Sequence, residues 1–137
     1  MPYPIIPDQR GDDLHGLEDL AQAELVIFMA GNQFMAMAEL MAAFRNAHPA
    51  IGPIYYETLP PKMELRQILA GGAMFRGLLI DAAADVYTSV SYQGVAALSK
   101  AGLVEKDACF VYLRNRIGLM VPAGNPKGIR KVGDLAR

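Results

Sequence analysis

The sequence predicts an α/β fold in which a mainly parallel sheet is flanked by helices. Three apolar, strand-like runs at residues 25–30, 51–56 and 85–90 carry the prediction. Each runs into small or polar residues that open a helix-like stretch: Gly31-Asn32-Gln33, then Glu57-Thr58-Leu59-Pro60-Pro61-Lys62, then Ser91-Tyr92-Gln93. Repeated strand-then-helix units imply parallel strands covered by their crossover helices. Such a sheet gathers helix N-termini at the carboxyl ends of its strands. Ligands bind there, and backbone N–H groups at the positive end of a helix dipole favour anions. The sequence therefore points to binding before it points to chemistry.

Residues 1–13, Pro-rich and then acidic, read as an irregular arm. Leu14, Leu17 and Leu20 recur every three residues and predict a short amphipathic helix over 14–23, with Asp12 or Asp13 as its N-cap. After the first strand, residues 34–47 form the clearest helix. Phe34, Met37, Leu40 or Met41, and Phe44 share one face. His48-Pro49 ends it, because a residue before proline is driven out of the α region. The methionines of that face read as core packing. Pro53 near the start of the second strand predicts an edge position, where a missing N–H is tolerated. A helix over 61–70 takes Pro61 at its first position and stops at Gly71-Gly72, with Leu65, Ile68 and Leu69 inward. Residues 73–84 fit either a short helix or a covering loop.

The third strand leads to a helix over 93–100, capped by Ser91, with Val95, Leu98 and Ala101 inward and Gly102 at its close. Two further strands are expected at 109–113 and 117–121, separated by the basic turn Arg114-Asn115-Arg116. A turn follows at 125–128, and residues 132–137 read as a helix beginning.

With 137 residues the chain suffices for one domain with a real core. A net charge of −1 supplies no field toward nucleic acid or membrane, and no nucleic-acid partner is expected. The lone Cys109 excludes an intrachain disulfide and a thiolate zinc cage, and reads as a small buried apolar residue. No apolar run approaches the roughly 20 residues that span a bilayer. The first residues lack the basic and apolar regions of a secretory signal. The chain is thus either cytoplasmic, or the mature region of a periplasmic or extracellular protein.

Four segments occur in order: Val26-Ile27-Phe28-Met29-Ala30-Gly31-Asn32, Ala42-Ala43-Phe44-Arg45-Asn46-Ala47-His48-Pro49, Ala84-Asp85-Val86-Tyr87-Thr88-Ser89 and Asn115-Arg116-Ile117-Gly118-Leu119-Met120-Val121-Pro122. Together they resemble the type II periplasmic solute-binding proteins of ABC importers, and among them the molybdate/tungstate oxyanion binders. Val132-Gly133-Asp134-Leu135-Ala136 resembles the helix that opens the family's second lobe. The resemblance implies a periplasmic-binding-protein-like lobe, divided as an arm (1–24), a first ligand-binding lobe (25–114), and a crossover with the start of a second lobe (115–137). It implies a small anionic solute, ABC importer membrane subunits as partners, no cofactor and no metal. An intracellular ligand-sensing module on the same fold is the alternative.

The expected ligand residues are Gly31, Asn32, Gln33, Thr58, Lys62, Ser89, Ser91 and Tyr92. The family's oxyanion binders present serine hydroxyls in the first two loops. Here Asn32 offers an amide and Thr58 a hydroxyl, while Pro60 and Pro61 cannot donate. A catalytic reading finds little: His15 and His48 are isolated, and no phosphate-binding or nucleophile-elbow motif is present. No enzyme activity is expected. A single lobe exposes the surface its partner would cover, which predicts self-association or a swap through 110–113 and 117–121.

Overall fold

The computed structural model describes residues 2–81, 83–105 and 107–136. Ala82, inside the ambiguous 73–84 stretch, and Arg137, at the end of the expected last helix, lie outside the described residues. The chain divides into two compact units, Met1–Glu105 and Lys106–Arg137.

In the first unit, β1 (Leu14–His15), β2 (Leu25–Phe28), β3 (Ile54–Glu57) and β6 (Val86–Tyr87) form one sheet in the order β1-β3-β2-β6. β2 runs parallel to both β3 and β6, and β1 is antiparallel to β3. The mainly parallel α/β class is as the sequence predicts. α1 (Phe34–Ala47), α2 (Pro61–Ala70) and α3 (Tyr92–Lys100) follow β2, β3 and β6. The helix bounds read from the sequence are met for α1 and α2, and within a residue for α3. Pro61 stands at the start of α2, Gly71 (φ 74°) ends it in the left-handed region, and the Ser91 hydroxyl caps α3 by accepting from Gly94 N.

The side-chain period of two divides the strands between two cores. Val26, Phe28 and Tyr55 pack with Ile6, Leu14, Leu59, Ala73, Phe75 and Ile80 on one side. Ile27, Met29, Ile54 and Tyr56 pack with Met37 and Met41 of α1 on the other. A sheet covered on both faces requires such near-continuous apolar strands.

Several expectations are corrected. β3 is not an edge strand, because β1 lies outside it, and Pro53 falls one residue before the strand begins. The arm is not irregular. It contains a 3₁₀ helix (Asp8–Asp13), buries Ile6 and pairs β1 with β3; Ile6 N donates to Met74 O and Met74 N to Pro4 O. The predicted 14–23 helix is a strand followed by a 3₁₀ turn (Leu17–Gln22) whose cap is Gly16, not Asp12 or Asp13. Strand pairing competes successfully with a helix only ten residues long. Residues 73–84 contain an antiparallel hairpin, β4 (Ala73–Phe75) with β5 (Leu78–Ile80). Phe34 and Leu40 of α1 are exposed, so its buried stripe is narrower than predicted: Met37 and Met41, with Phe44 half-buried.

The largest surprise in this unit is α2. Glu64 and Gln67 are fully buried, while Leu69 is exposed. The connection from β3 has three residues, pinned by Gly31 N to Leu59 O (3.0 Å) and Thr58 N to Asp13 O (2.9 Å). The short tether, together with Met63 and Ile68, which pack against the core as expected for Ile68, fixes the side of the helix that faces the sheet.

In the second unit the described residues contain no strand. Residues 109–121 have no regular secondary structure, and Cys109, Phe110, Ile117 and Met120 are exposed. The buried reading of Cys109 and the two expected strands are therefore wrong: without a hydrogen-bonding neighbour, a strand-like sequence has no ladder to join. Beyond them Asn125 closes a turn, accepting from Ile129 N (3.0 Å) and donating to Ile129 O (2.8 Å). The last segment is a 3₁₀ helix (Val132–Ala136) that Asp134 caps by accepting from Arg130 N and Lys131 N.

Candidate functional site

The carboxyl ends of β2, β3 and β6 lie side by side, and their three following loops are tied to one another. Thr88 is the hub of one junction. Its amide donates to Phe28 O (2.9 Å), while its hydroxyl accepts from Ala30 N (2.9 Å) and from the Gln33 amide (3.1 Å). Gly31 makes the other junction, where a Cβ would stand 2.9 Å from Thr58 O and 3.1 Å from Leu59 O. Only glycine permits that approach between the first and second loops.

Beside this junction is an open depression of about 490 Å³. Gly31 and Asn32 line it from the first loop, Thr58, Pro60 and Pro61 from the second, and Phe34 from the start of α1. Gln9, Arg10, Asp12 and Asp13 of the N-terminal 3₁₀ segment complete the wall.

Of the sequence-predicted ligand residues, Gly31, Asn32 and Thr58 thus share one cavity. Gln33 is engaged with Thr88. Lys62 lines a separate depression of about 220 Å³ with Pro4, Ile5, Met63 and Arg66. Ser89 and Ser91 are occupied with each other and with capping: the Ser89 hydroxyl donates to Ser91 O (2.9 Å) and accepts from Ser91 N. Tyr92 is exposed on the first turn of α3. Neither serine nor Tyr92 lines the larger depression.

The arm residues are the part of this wall that sequence reasoning missed. Asp13 is buried and carries three contacts. Its main-chain oxygen accepts from Thr58 N, its Oδ1 accepts from the Thr58 hydroxyl (3.2 Å), and its Oδ2 faces Arg10 Nη1 (3.2 Å). The local signal was present as Arg10 and Asp13 three residues apart. Their placement beside Thr58 needed the pairing of Leu14 with Glu57, a contact 43 residues long that no local pattern encodes.

Beneath the second loop lies an acidic cluster. Glu57 of β3 and Glu64 of α2 are fully buried, with Tyr55 and Gln67 beside them. The Tyr55 hydroxyl donates to Glu57 Oε2 over a long 3.4 Å. Glu57 Oε1, both Glu64 carboxyl oxygens and both Gln67 amide atoms make no hydrogen bond of good geometry. Burial, offset slightly by the Tyr55 hydroxyl and the neighbouring Gln67 amide, pushes Glu57 up to about 8. Burial and then the Glu57 charge push Glu64 up to about 10. Both groups are therefore neutral acids at pH 7. Tyr55 is also raised, first by burial and then by Glu57.

The two histidines have packing roles. His15 stacks on Tyr56 at 4.2 Å between ring centres, and burial lowers its pKa against the opposing pull of Asp13 and Asp12. His48 tilts against Phe44. Among the described residues no group of three or more His, Cys, Asp or Glu side chains is arranged to hold a metal ion. No helix among them is long and apolar enough to cross a membrane.

Tied loops around an open depression at the carboxyl edge of a parallel sheet are a binding arrangement. A sequence model of the bacterial extracellular solute-binding protein family matches residues 25–137, from the first residue of β2 onward. No curated protein and no solved structure matches the chain. The family match spans β2, α1, β3, α2 and the tied loops between them, and on that match the chain belongs to the bacterial extracellular solute-binding proteins.

Proposed function

We propose that the protein is the solute-binding component of an ABC importer, working outside the cytoplasm and delivering a small oxyanion of the molybdate/tungstate type to the importer's membrane subunits. The observation that supports this reading best is the meeting of Asn32, Thr58 and Arg10 in one depression at the helix-opening edge of the sheet. An amide, a hydroxyl and a guanidinium are donors, and donors to an anion make charge-assisted bonds roughly twice as strong as neutral ones; the Asp13 carboxylate of the same wall engages the hydroxyl and the guanidinium, and the exposed Asn32 carries the third donor. The reading assigns the protein to binding rather than catalysis.

An anion in this open depression keeps one side in water, where each charge–dipole interaction is screened. Binding by the 137-residue chain is expected to be millimolar or weaker, about −4 kcal/mol or less favourable. In a two-lobed protein that closes over the solute, Asn32→Ala is expected to cost roughly 1–3 kcal/mol by removing a donor to a charged acceptor. Calorimetry with molybdate, tungstate, sulfate and phosphate tests both. Micromolar affinity would overturn the one-sided site, and unchanged affinity in Asn32→Ala would remove Asn32 from it. The exposed apolar residues of 110–121 further support self-association of the chain.

A further inference from the structure

We propose that Arg10 and Thr58 are the anion-holding pair of this cavity and that the Asp13 carboxylate occupies them as an internal stand-in for the solute. The inference rests on the anion-binding reading above and concerns residues that reading does not by itself select. Arg10 and Asp13 lie before residue 25, outside the family match, so they are features of this chain rather than of the matched region.

Geometry carries the assignment. The two oxygens of one carboxylate divide between the two donors: Oδ1 takes the Thr58 hydroxyl and Oδ2 faces the Arg10 guanidinium, both at 3.2 Å. An incoming oxyanion would be held through the same divided contact, with one oxygen for a hydroxyl and another for a guanidinium. The Asp13 side chain is 12% exposed and the Arg10 side chain 46%, so the carboxylate sits at the base of the cavity with the arginine on its rim. Among the described residues Arg10 is the one cationic side chain lining the depression, against the carboxylates of Asp12 and Asp13. With Asp13 in place, the base of the cavity repels anions and its best donors are already engaged.

The consequence is selectivity. A solute must displace a monovalent carboxylate held by short covalent tethering to β1. A dianion, with twice the attraction to Arg10, is favoured over chloride, acetate or other monoanions. Removing the Asp13 charge frees the Arg10 guanidinium and relaxes that discrimination.

The test uses the full 137-residue chain at low ionic strength. Sulfate, molybdate and acetate are titrated calorimetrically into wild type, Asp13→Asn, and Asp13→Asn combined with Arg10→Gln. Circular dichroism confirms that each variant folds. Asparagine keeps an oxygen that accepts from Thr58, so the side-chain contact of the arm with the second loop is retained. The expected result is a gain of about tenfold or more in sulfate and molybdate affinity in Asp13→Asn, a larger relative gain for acetate, and loss of both gains when Arg10 is also changed. Should Asp13→Asn fail to fold, Thr58→Val serves: with one donor gone it must bind sulfate more weakly than wild type. Equal affinities in wild type and Asp13→Asn would overturn the stand-in role while leaving the anion reading intact. Gains that persist without Arg10 would remove Arg10 from the pair. Silence of every folded variant toward all three anions would sink the anion reading, and this proposal with it.

Discussion

Residues 25–28 and 110–113 are both strand-forming sequences, Leu-Val-Ile-Phe and Phe-Val-Tyr-Leu, and only the first is a strand. Phe28 is 0% exposed and Phe110 is 79% exposed. The difference is not in the side chains. β2 has a parallel neighbour on each side, β3 and β6, and helices cover both faces of the sheet they form. Residues 109–121 have no ladder partner among the described residues. A strand is a relation between chain segments, so β-propensity is a statement about fitting an existing surface. The same contrast separates Met41 of α1, buried against the sheet, from Met120, which is 99% exposed.

Four perturbations test how far packing separates the two regions. The largest effect is expected for Phe28→Ala, which empties a site packed on all sides and costs about 3–5 kcal/mol of folding free energy. Phe110→Ala is expected to change it by about 0.5 kcal/mol or less. Denaturant unfolding followed by circular dichroism measures both, and a Phe110 cost near that of Phe28 would show that residues 109–113 are packed after all.

Next comes the acidic cluster, where a packed region holds groups that ordinarily prefer water. Folded-state values of about 8 for Glu57 and about 10 for Glu64 lie above the ordinary 4.5, so the folded protein holds protons that the unfolded chain releases. Their contribution to stability is complete below about 4.5 and is lost as pH rises through 8 and then 10. Glu64→Gln removes the larger of these losses, and no good hydrogen bond of the carboxyl is sacrificed. It is expected to stabilise the protein on the order of a few kcal/mol at pH 9 and hardly at all at pH 4. Melting temperatures across that range decide it. A constant difference at all pH values would mean that Glu64 is not a buried neutral acid.

Gly31→Ala ranks third. The added methyl meets the main-chain oxygens of Thr58 and Leu59, the second of which the Gly31 N–H itself holds in place. A cost of about 1–3 kcal/mol is expected from overpacking, together with weaker anion binding, because the wall carrying Asn32 must shift away from Thr58. Normal stability and unchanged titrations in Gly31→Ala would show that the two loops tolerate separation.

The smallest effect on folding belongs to Ile117→Ser, expected within about 0.5 kcal/mol. Its effect on association is the informative one. Static light scattering of wild type at high concentration is expected to show species above monomer mass, reduced in Ile117→Ser. A monomeric wild type would mean that the exposed apolar residues of 110–121 are not adhesive.

Local chemistry explains why α1, α2 and α3 could be delimited from sequence. Pro61, Gly71 and Gly102 act through their own φ angles, Pro49 through the residue before it and Ser91 through its hydroxyl, and such signals are complete within a few positions. The α/β class and the gathering of Gly31, Asn32 and Thr58 followed from strand–helix alternation, which is likewise a pattern along the chain. Only the tertiary structure decided that the arm would supply β1 and place Arg10 and Asp13 beside Thr58. It also decided that α2 would bury Glu64 and Gln67 instead of Leu69, and that 109–121 would form no strand. Each of these outcomes depends on which distant segment is available as a neighbour. A hydrogen-bond ladder or a buried helix face is settled between segments, and a sequence read one window at a time contains the propensity of each segment but not its partner.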